Sequence, residues 1–218
     1  MQKGKLTTIN AESGFSLIEL AMLLVILGLL LTPFLHFLSL DRHQRIVATT
    51  EGNLRIIDSA LSKYAVRTGY YPRPAVRNLS RSAVGFGQDV ALASVVACTG
   101  GGEPLVCRTN GARDTSADAD SIVDPVLIGD IPFAEIGVPQ KFILDGYSNR
   151  ITYAVSERMT DTALSPVQDD WGAIEVLDGS GGNHQDTNRN AHYVLVSHGN
   201  NGEGTYSSEG GLTNACNA

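Results

Sequence analysis

Residues Phe15 to Leu40, FSLIELAMLLVILGLLLTPFLHFLSL, are almost all apolar and carry a single carboxylate, Glu19, near their start. The hydrocarbon core of a bilayer is roughly 30 Å thick, and an apolar helix of about 20 residues crosses it. The run is long enough to do so. A core helix of a globular protein is apolar along one stripe, and a signal-peptide h-region has only about 7 to 15 residues with its cleavage site after it. Here Glu12-Ser13-Gly14, a candidate processing signature, stands before the run. The pattern therefore predicts a membrane-spanning helix over 15–40. An ionised carboxylate in lipid costs about 2.5–3.5 kcal/mol on insertion scales, so Glu19 needs a partner or a place close to the interface.

Beyond Asp41 the pattern changes. Ile46, Val47, Leu54, Ile57, Leu61 and Tyr64/Ala65 recur at three- and four-residue steps with polar residues between them. That periodicity continues the same helix over 41–68 with one apolar face, ready to pack on a sheet. Gly28 and Pro33 interrupt the first half, and the proline favours a kink. Thr68-Gly69 supplies the stop, and Tyr70-Tyr71-Pro72 prevents continuation. Residues 69–121 are mixed and glycine-rich, and only Val90–Ala97 is apolar enough for a short helix or strand. From 122 to 218 come short β-rich runs, Ile122–Ile131, Lys141–Leu144, Arg150–Val155, Ala173–Leu177 and Tyr193–Ser197, punctuated by Gly, Asn, Asp and Pro. Such punctuation reads as an antiparallel sheet. The expected class is α+β, a long N-terminal helix packed on a small antiparallel sheet.

Lys3 and Lys5, followed by Gly14-Phe15-Ser16-Leu17-Ile18-Glu19 and the apolar run, resemble the class III leader and N-methylation signal of type IV pilins and type II secretion pseudopilins. The resemblance implies a leader over 1–14, cleavage between Gly14 and Phe15 by a prepilin peptidase, and N-methylation of Phe15. It also implies that Glu19 registers one subunit against the next. A new amine on Phe15 would lie within about one turn of Glu19, and the amine of a neighbouring copy is the better partner because a helix start points its own amine away. Ile57, Leu61, Tyr64 and Gly69-Tyr70-Tyr71-Pro72 are similar to the end of the long pseudopilin helix. The segment Phe142 to Tyr153 resembles the family hairpin built on Asp-Pro-Trp-Gly-Asn, with Gly146, Tyr147 and Ser148 in place of Pro, Trp and Gly. The stretch from Tyr193 to Gly204 looks like the last strand and loop, where a Ser-x-Gly-x-Asp-Gly motif often leads into a calcium site. Ser197, Gly199, Asn201 and Glu203 are the candidate calcium residues; Asn201 stands where the aspartate is expected, and losing that charge weakens an oxygen cage. A plain glycine-rich turn is the alternative.

Other features narrow the function classes. The 218 residues carry a formal charge of −7, and removing 1–14 takes away Lys3, Lys5 and Glu12, leaving −8. Such a balance disfavours nucleic-acid binding. In the oxidising periplasm Cys98 and Cys107 are a candidate disulfide; Cys216 as a staple of the C-terminus, or buried free thiols, are alternatives the sequence leaves open. Zinc is disfavoured because no CxxC pair occurs. His184, His192 and His198 fit no recognised ligand spacing, and Asp186-x-Asn188-x-Asn190 lacks the glycine and glutamate of an EF-hand loop. No Walker loop, dinucleotide fingerprint, HExxH or nucleophile elbow is present, so the expectation is a non-enzyme without a cofactor, calcium excepted.

The function expected is that of a prepilin-like subunit of a type II secretion pseudopilus or type IV pilus. Its partners would be the prepilin peptidase, other copies, related pilin or pseudopilin subunits, an inner-membrane assembly platform and the membrane itself. The expected location is the bacterial inner membrane, single-pass with the C-terminal domain in the periplasm, and then the pseudopilus or surface pilus. The rival reading is an uncleaved, membrane-tethered periplasmic binding or adhesin module.

Overall fold

The computed structural model describes residues 16–99, 105–109, 125–164, 166–168, 171–182 and 190–214, without the side chains of 32–41. The chain divides into two compact units, Met1–Gln44 and Arg45–Ala218. Helix α1, Leu17–Thr68, contributes to both. It runs through Gly28 and Pro33, and it ends as Thr68-Gly69 predicts. Gly69 takes a left-handed φ of 84°, its N–H donates to Ala65 O at 2.7 Å, and the Thr68 hydroxyl donates to Tyr64 O at 2.8 Å.

In the second unit the stripe Ile57, Leu61 and Ala65 is buried, and Leu54 packs at its margin. It meets Val106, Leu127, Ile131, Ile151, Tyr153, Val155, Met159 and Trp171 in one apolar core. Deeper burial of three residues at helical spacing, while Val47 and Val66 stay exposed, sets which side of the helix faces the sheet. The Tyr193 hydroxyl donates to Asp58 Oδ1 at 2.6 Å and ties the last strand to the helix.

The sheet has five strands in sequence order: β1 Val96–Ala97, β2 Cys107–Arg108, β3 Val126–Asp130, β4 Thr152–Ser156 and β5 Tyr193–Val196. It is mixed, not antiparallel as expected. The pairs β2–β3, β3–β4 and β4–β5 are antiparallel, but β1 and β2 are parallel, with Val96 opposite Cys107. Cys98 and Cys107 form a disulfide beside that pair, with Cα atoms 4.9 Å apart. Lys141–Leu144 is not a strand; Gln140–Ile143 is a 3-10 turn entered through Pro139, whose carbonyl accepts the Phe142 N–H at 3.0 Å. Ala173–Leu177 yields no named strand, and Ile174 pairs with Ala191 as an isolated bridge. A one-turn helix α2, Phe133–Ile136, closes on Gly137 in the left-handed region.

Among the described residues no helix is long and apolar enough to cross a membrane. This corrects the expected membrane-spanning segment over 15–40, and with it the single-pass inner-membrane placement. Among the described residues the stretch of α1 that is apolar on every side runs from Leu17 to Leu31, about 22 Å, against a hydrocarbon core of roughly 30 Å.

At the end of β3 the interior is charged. Asp130, Arg77 and Arg150 are all at least 95% buried. Arg150 Nη1 donates to Asp130 Oδ2 at 3.0 Å and to Arg77 O at 2.7 Å, while its Nη2 donates to Leu79 O at 2.7 Å and Ser208 O at 3.0 Å. Arg77 Nε lies 3.8 Å from Asp130 Oδ1. Burial pushes the Asp130 carboxyl up to about 7, against the downward pull of Arg150 and Arg77. Above about pH 7, where this carboxyl is ionised, removing its charge strands two guanidiniums in a dry interior. Asp130→Asn is therefore expected to destabilise the domain by about 3–5 kcal/mol, read from chemical denaturation; a loss under ~1 kcal/mol would show that the cluster is not holding the fold.

Candidate functional site

Two regions gather the residues singled out in the sequence. The first is the start of α1. Ser16 accepts the N–H groups of Glu19 and Leu20 at 2.9 and 3.1 Å, which places Glu19 in the first turn, where the helix dipole favours a carboxylate. Leu17, Ile18, Leu20, Met22 and the leucines, valine and isoleucine that follow to Leu31 are exposed around the whole circumference. A helix apolar on every side requires a cover. Each such side chain gains roughly 1.5–3 kcal/mol when withdrawn from water. Glu19 is the lone charge among them. Gly14, Phe15 and Cys216 lie outside the described residues.

The second region joins the β4 hairpin to the loop after β5. Asp145, Gly146, Tyr147, Ser148 and Asn149 form a turn organised by one carboxylate. Asp145 Oδ1 accepts the N–H groups of Tyr147 and Asn149, both at 2.9 Å, and the Asp145 N–H donates to Asn149 O at 2.8 Å. The turn rests on α1. Gly146 N–H donates to Thr50 Oγ1 at 2.9 Å, Asn53 Nδ2 donates to Leu144 O at 2.7 Å, and a Cβ at Gly146 would collide with Ile46 O.

Onto this turn the C-terminal loop folds. The Ser197 hydroxyl donates to Asp145 Oδ2 at 2.7 Å, and Asn149 Nδ2 donates to Gly199 O at 2.7 Å. Asn214 Nδ2 donates to Asn201 O. Gly199, Gly202 and Gly204 all take positive φ, which lets the backbone turn back on itself. Thus Ser197, Gly199, Asn201 and Glu203 do share one loop. Glu203 and Asn201 are themselves exposed.

His198 sits inside the loop. Its Nδ1 lies 2.6 Å from Glu203 O and its Nε2 lies 2.8 Å from Thr152 Oγ1. A carbonyl only accepts, so Nδ1 carries the proton. Arg77 Nη2 donates to Thr152 Oγ1 at 2.8 Å, which leaves the threonine proton to donate to a neutral Nε2. Desolvation, with a further contribution from Arg77, holds the imidazole below its ordinary pKa; Glu203 O and Asp145 oppose the shift. His192 instead packs edge-on to Tyr71, and His184 lies outside the described residues, as do Asp186 and Asn188. Among the described residues no group of three or more His, Cys, Asp or Glu is placed to hold a metal ion.

Sequence reasoning missed Arg77, Asp130, Asn149, Arg150, Thr152 and Asn214. The one available signal was a charged residue, Asp130 or Arg150, interrupting an apolar β-run. Elsewhere an open groove of about 630 Å³ lies between α1 and the turn after α2, floored by Ile56, Tyr64 and Val138 and edged by Arg55, Lys63 and Arg67. Comparisons with protein-family models, curated proteins and solved structures return no match.

Because the folded pKa of His198 is lowered, the unfolded chain binds a proton that the folded loop refuses. The contribution of His198 to stability is therefore complete above about pH 6.5 and is lost as pH falls through the lowered folded value. Melting temperatures of wild type and His198→Gln, compared from pH 8 down to 5, should differ most at high pH and converge on acidification; a pH-independent difference would refute the assignment.

Proposed function

We propose that this chain is a prepilin-like subunit of a type II secretion pseudopilus or type IV pilus, processed after Gly14 and assembled into a helical filament through α1. The observation that carries the reading is the start of α1: apolar residues exposed on all sides from Leu17 to Leu31, with Glu19 as their single charge in the first turn. Packing like helices against one another withdraws those side chains from water. It also brings the Phe15 amine of one copy to the Glu19 carboxylate of the next, so that a charge that would be costly in an apolar bundle becomes a directional contact. The Lys3, Lys5 and Gly14-Phe15 pattern supports peptidase processing. The domain beyond Arg45, with its buried helical stripe and mixed sheet, supports a pilin-like α+β subunit.

The test co-expresses the full chain with a prepilin peptidase and an assembly machine. Intact mass and N-terminal sequencing should find a chain starting at N-methylated Phe15. Glu19→Ala should leave that processing intact and lower incorporation into filaments at least tenfold, as the loss of a desolvated ion pair worth more than about 1.4 kcal/mol would. An unprocessed chain beside an active peptidase, or normal filament yield from Glu19→Ala, would overturn the reading.

A further inference from the structure

Calcium is the cofactor that the resemblance implies for the loop of Ser197, Gly199, Asn201 and Glu203. The hydrogen bonds there do not fit it. Calcium takes six to eight oxygen ligands, with carboxylates supplying the charge. In this chain the Ser197 hydroxyl already donates to Asp145 Oδ2, and Asp145 Oδ1 already accepts two backbone N–H groups. The carbonyls that a cation would gather are held by nitrogen donors. Gly199 O accepts from Asn149 Nδ2, Asn201 O from Asn214 Nδ2 and Glu203 O from His198 Nδ1. The next carbonyl, Gly204 O, accepts from Arg77 Nη2 at 3.0 Å. Arg77 is 4% exposed, so a guanidinium is built in beside the loop. Asp145 is the one buried carboxylate there, and Glu203 is exposed.

We propose that the C-terminal loop is closed by a metal-free clasp, in which Asn149, His198, Asn214 and Arg77 present N–H donors to the carbonyls of Gly199, Glu203, Asn201 and Gly204 in place of a divalent cation. A carboxylate-poor cage with a guanidinium at its wall gives calcium little to bind. The amide, imidazole and guanidinium donors need no ion to be present, so the loop stays shut in calcium-poor surroundings. This inference holds whether or not the chain assembles into filaments.

The experiment uses the purified full chain. Calcium chloride is titrated in by calorimetry, and thermal unfolding and limited proteolysis across residues 197–214 are followed in excess calcium and in excess EDTA. The clasp requires no saturable heat, the same melting temperature in both conditions and the same cleavage rate. Asn214→Ala, an exposed position, and Asn149→Ala should each speed loop cleavage about fivefold in calcium and EDTA alike, the equivalent of one net hydrogen bond of ~1 kcal/mol. Saturable calcium binding that protects the loop, faster cleavage in EDTA than in calcium, or unchanged cleavage in both variants would overturn the clasp.

Discussion

Arg150 is the side chain on which three separate parts of the chain depend. Its guanidinium is 1% exposed and carries five N–H donors, so the fold must surround it with acceptors. Those acceptors come from the end of β3 through Asp130, from Arg77 O and Leu79 O, and from Ser208 O in the C-terminal loop. The Phe86 ring lies 4.9 Å from the guanidinium carbon. None of these acceptors is close to Arg150 in sequence, so its Nη1 and Nη2 donors are met only when all three segments have arrived, while Nε has no hydrogen-bond partner. A buried ionic cluster of this kind is weak as a source of net stability, since an apolar replacement of the same shape often does as well. Any missing segment leaves buried donors without water or partners.

The two ends of α1 answer different demands. Around Ile57, Leu61 and Ala65 one stripe is dry against the sheet of its own domain, while Val47, Ile56 and Val66 stay exposed on other faces. From Leu17 to Leu31 no stripe exists, and one sheet could cover only a single side of such a helix. In the filament we propose, helices of neighbouring copies would cover it, and Glu19 would set which residue of one helix lies beside which residue of the next.

The parts legible in the sequence are those with a period or a local stop. The Ile57-Leu61-Ala65 stripe, the end at Thr68-Gly69 and the β-branched runs that became β3, β4 and β5 all rest on neighbours three, four or two residues away. Lys141–Leu144 was misread because Pro139 sets up a 3-10 turn that an apolar run does not announce. The parallel pairing of β1 and β2 depends on two-residue strands whose register is set by Val106 and the Cys98–Cys107 link, which no periodicity records. Hydropathy makes Phe15–Leu40 read as a span, and among the described residues no helix is long and apolar enough to be one. The clasp was hidden for another reason: Arg77, Asn149, Thr152 and Asn214 have no pattern among themselves and acquire roles only when the loops meet.

The departures of the hairpin from the pattern it resembles make sense together once the loop is seen closed. A proline at 146 would lack the N–H that donates to Thr50 Oγ1, and Ile46 O leaves no space for its ring. Ser148, where the pattern has glycine, takes a φ of 68°. That strained conformation is held by its own N–H to Asp145 O at 3.1 Å and by the Asp145 side-chain bonds on either side. The turn is thus pinned to α1 on one side and organised by Asp145 on the other, which presents the Asn149 amide to Gly199 O. An amide donor competes with a cation only if its own position is fixed, since a mobile side chain would lose rotamer entropy on each closure. Asn149 is 6% exposed and its backbone N–H is already held by Asp145. Little freedom remains to be lost when the amide meets Gly199 O.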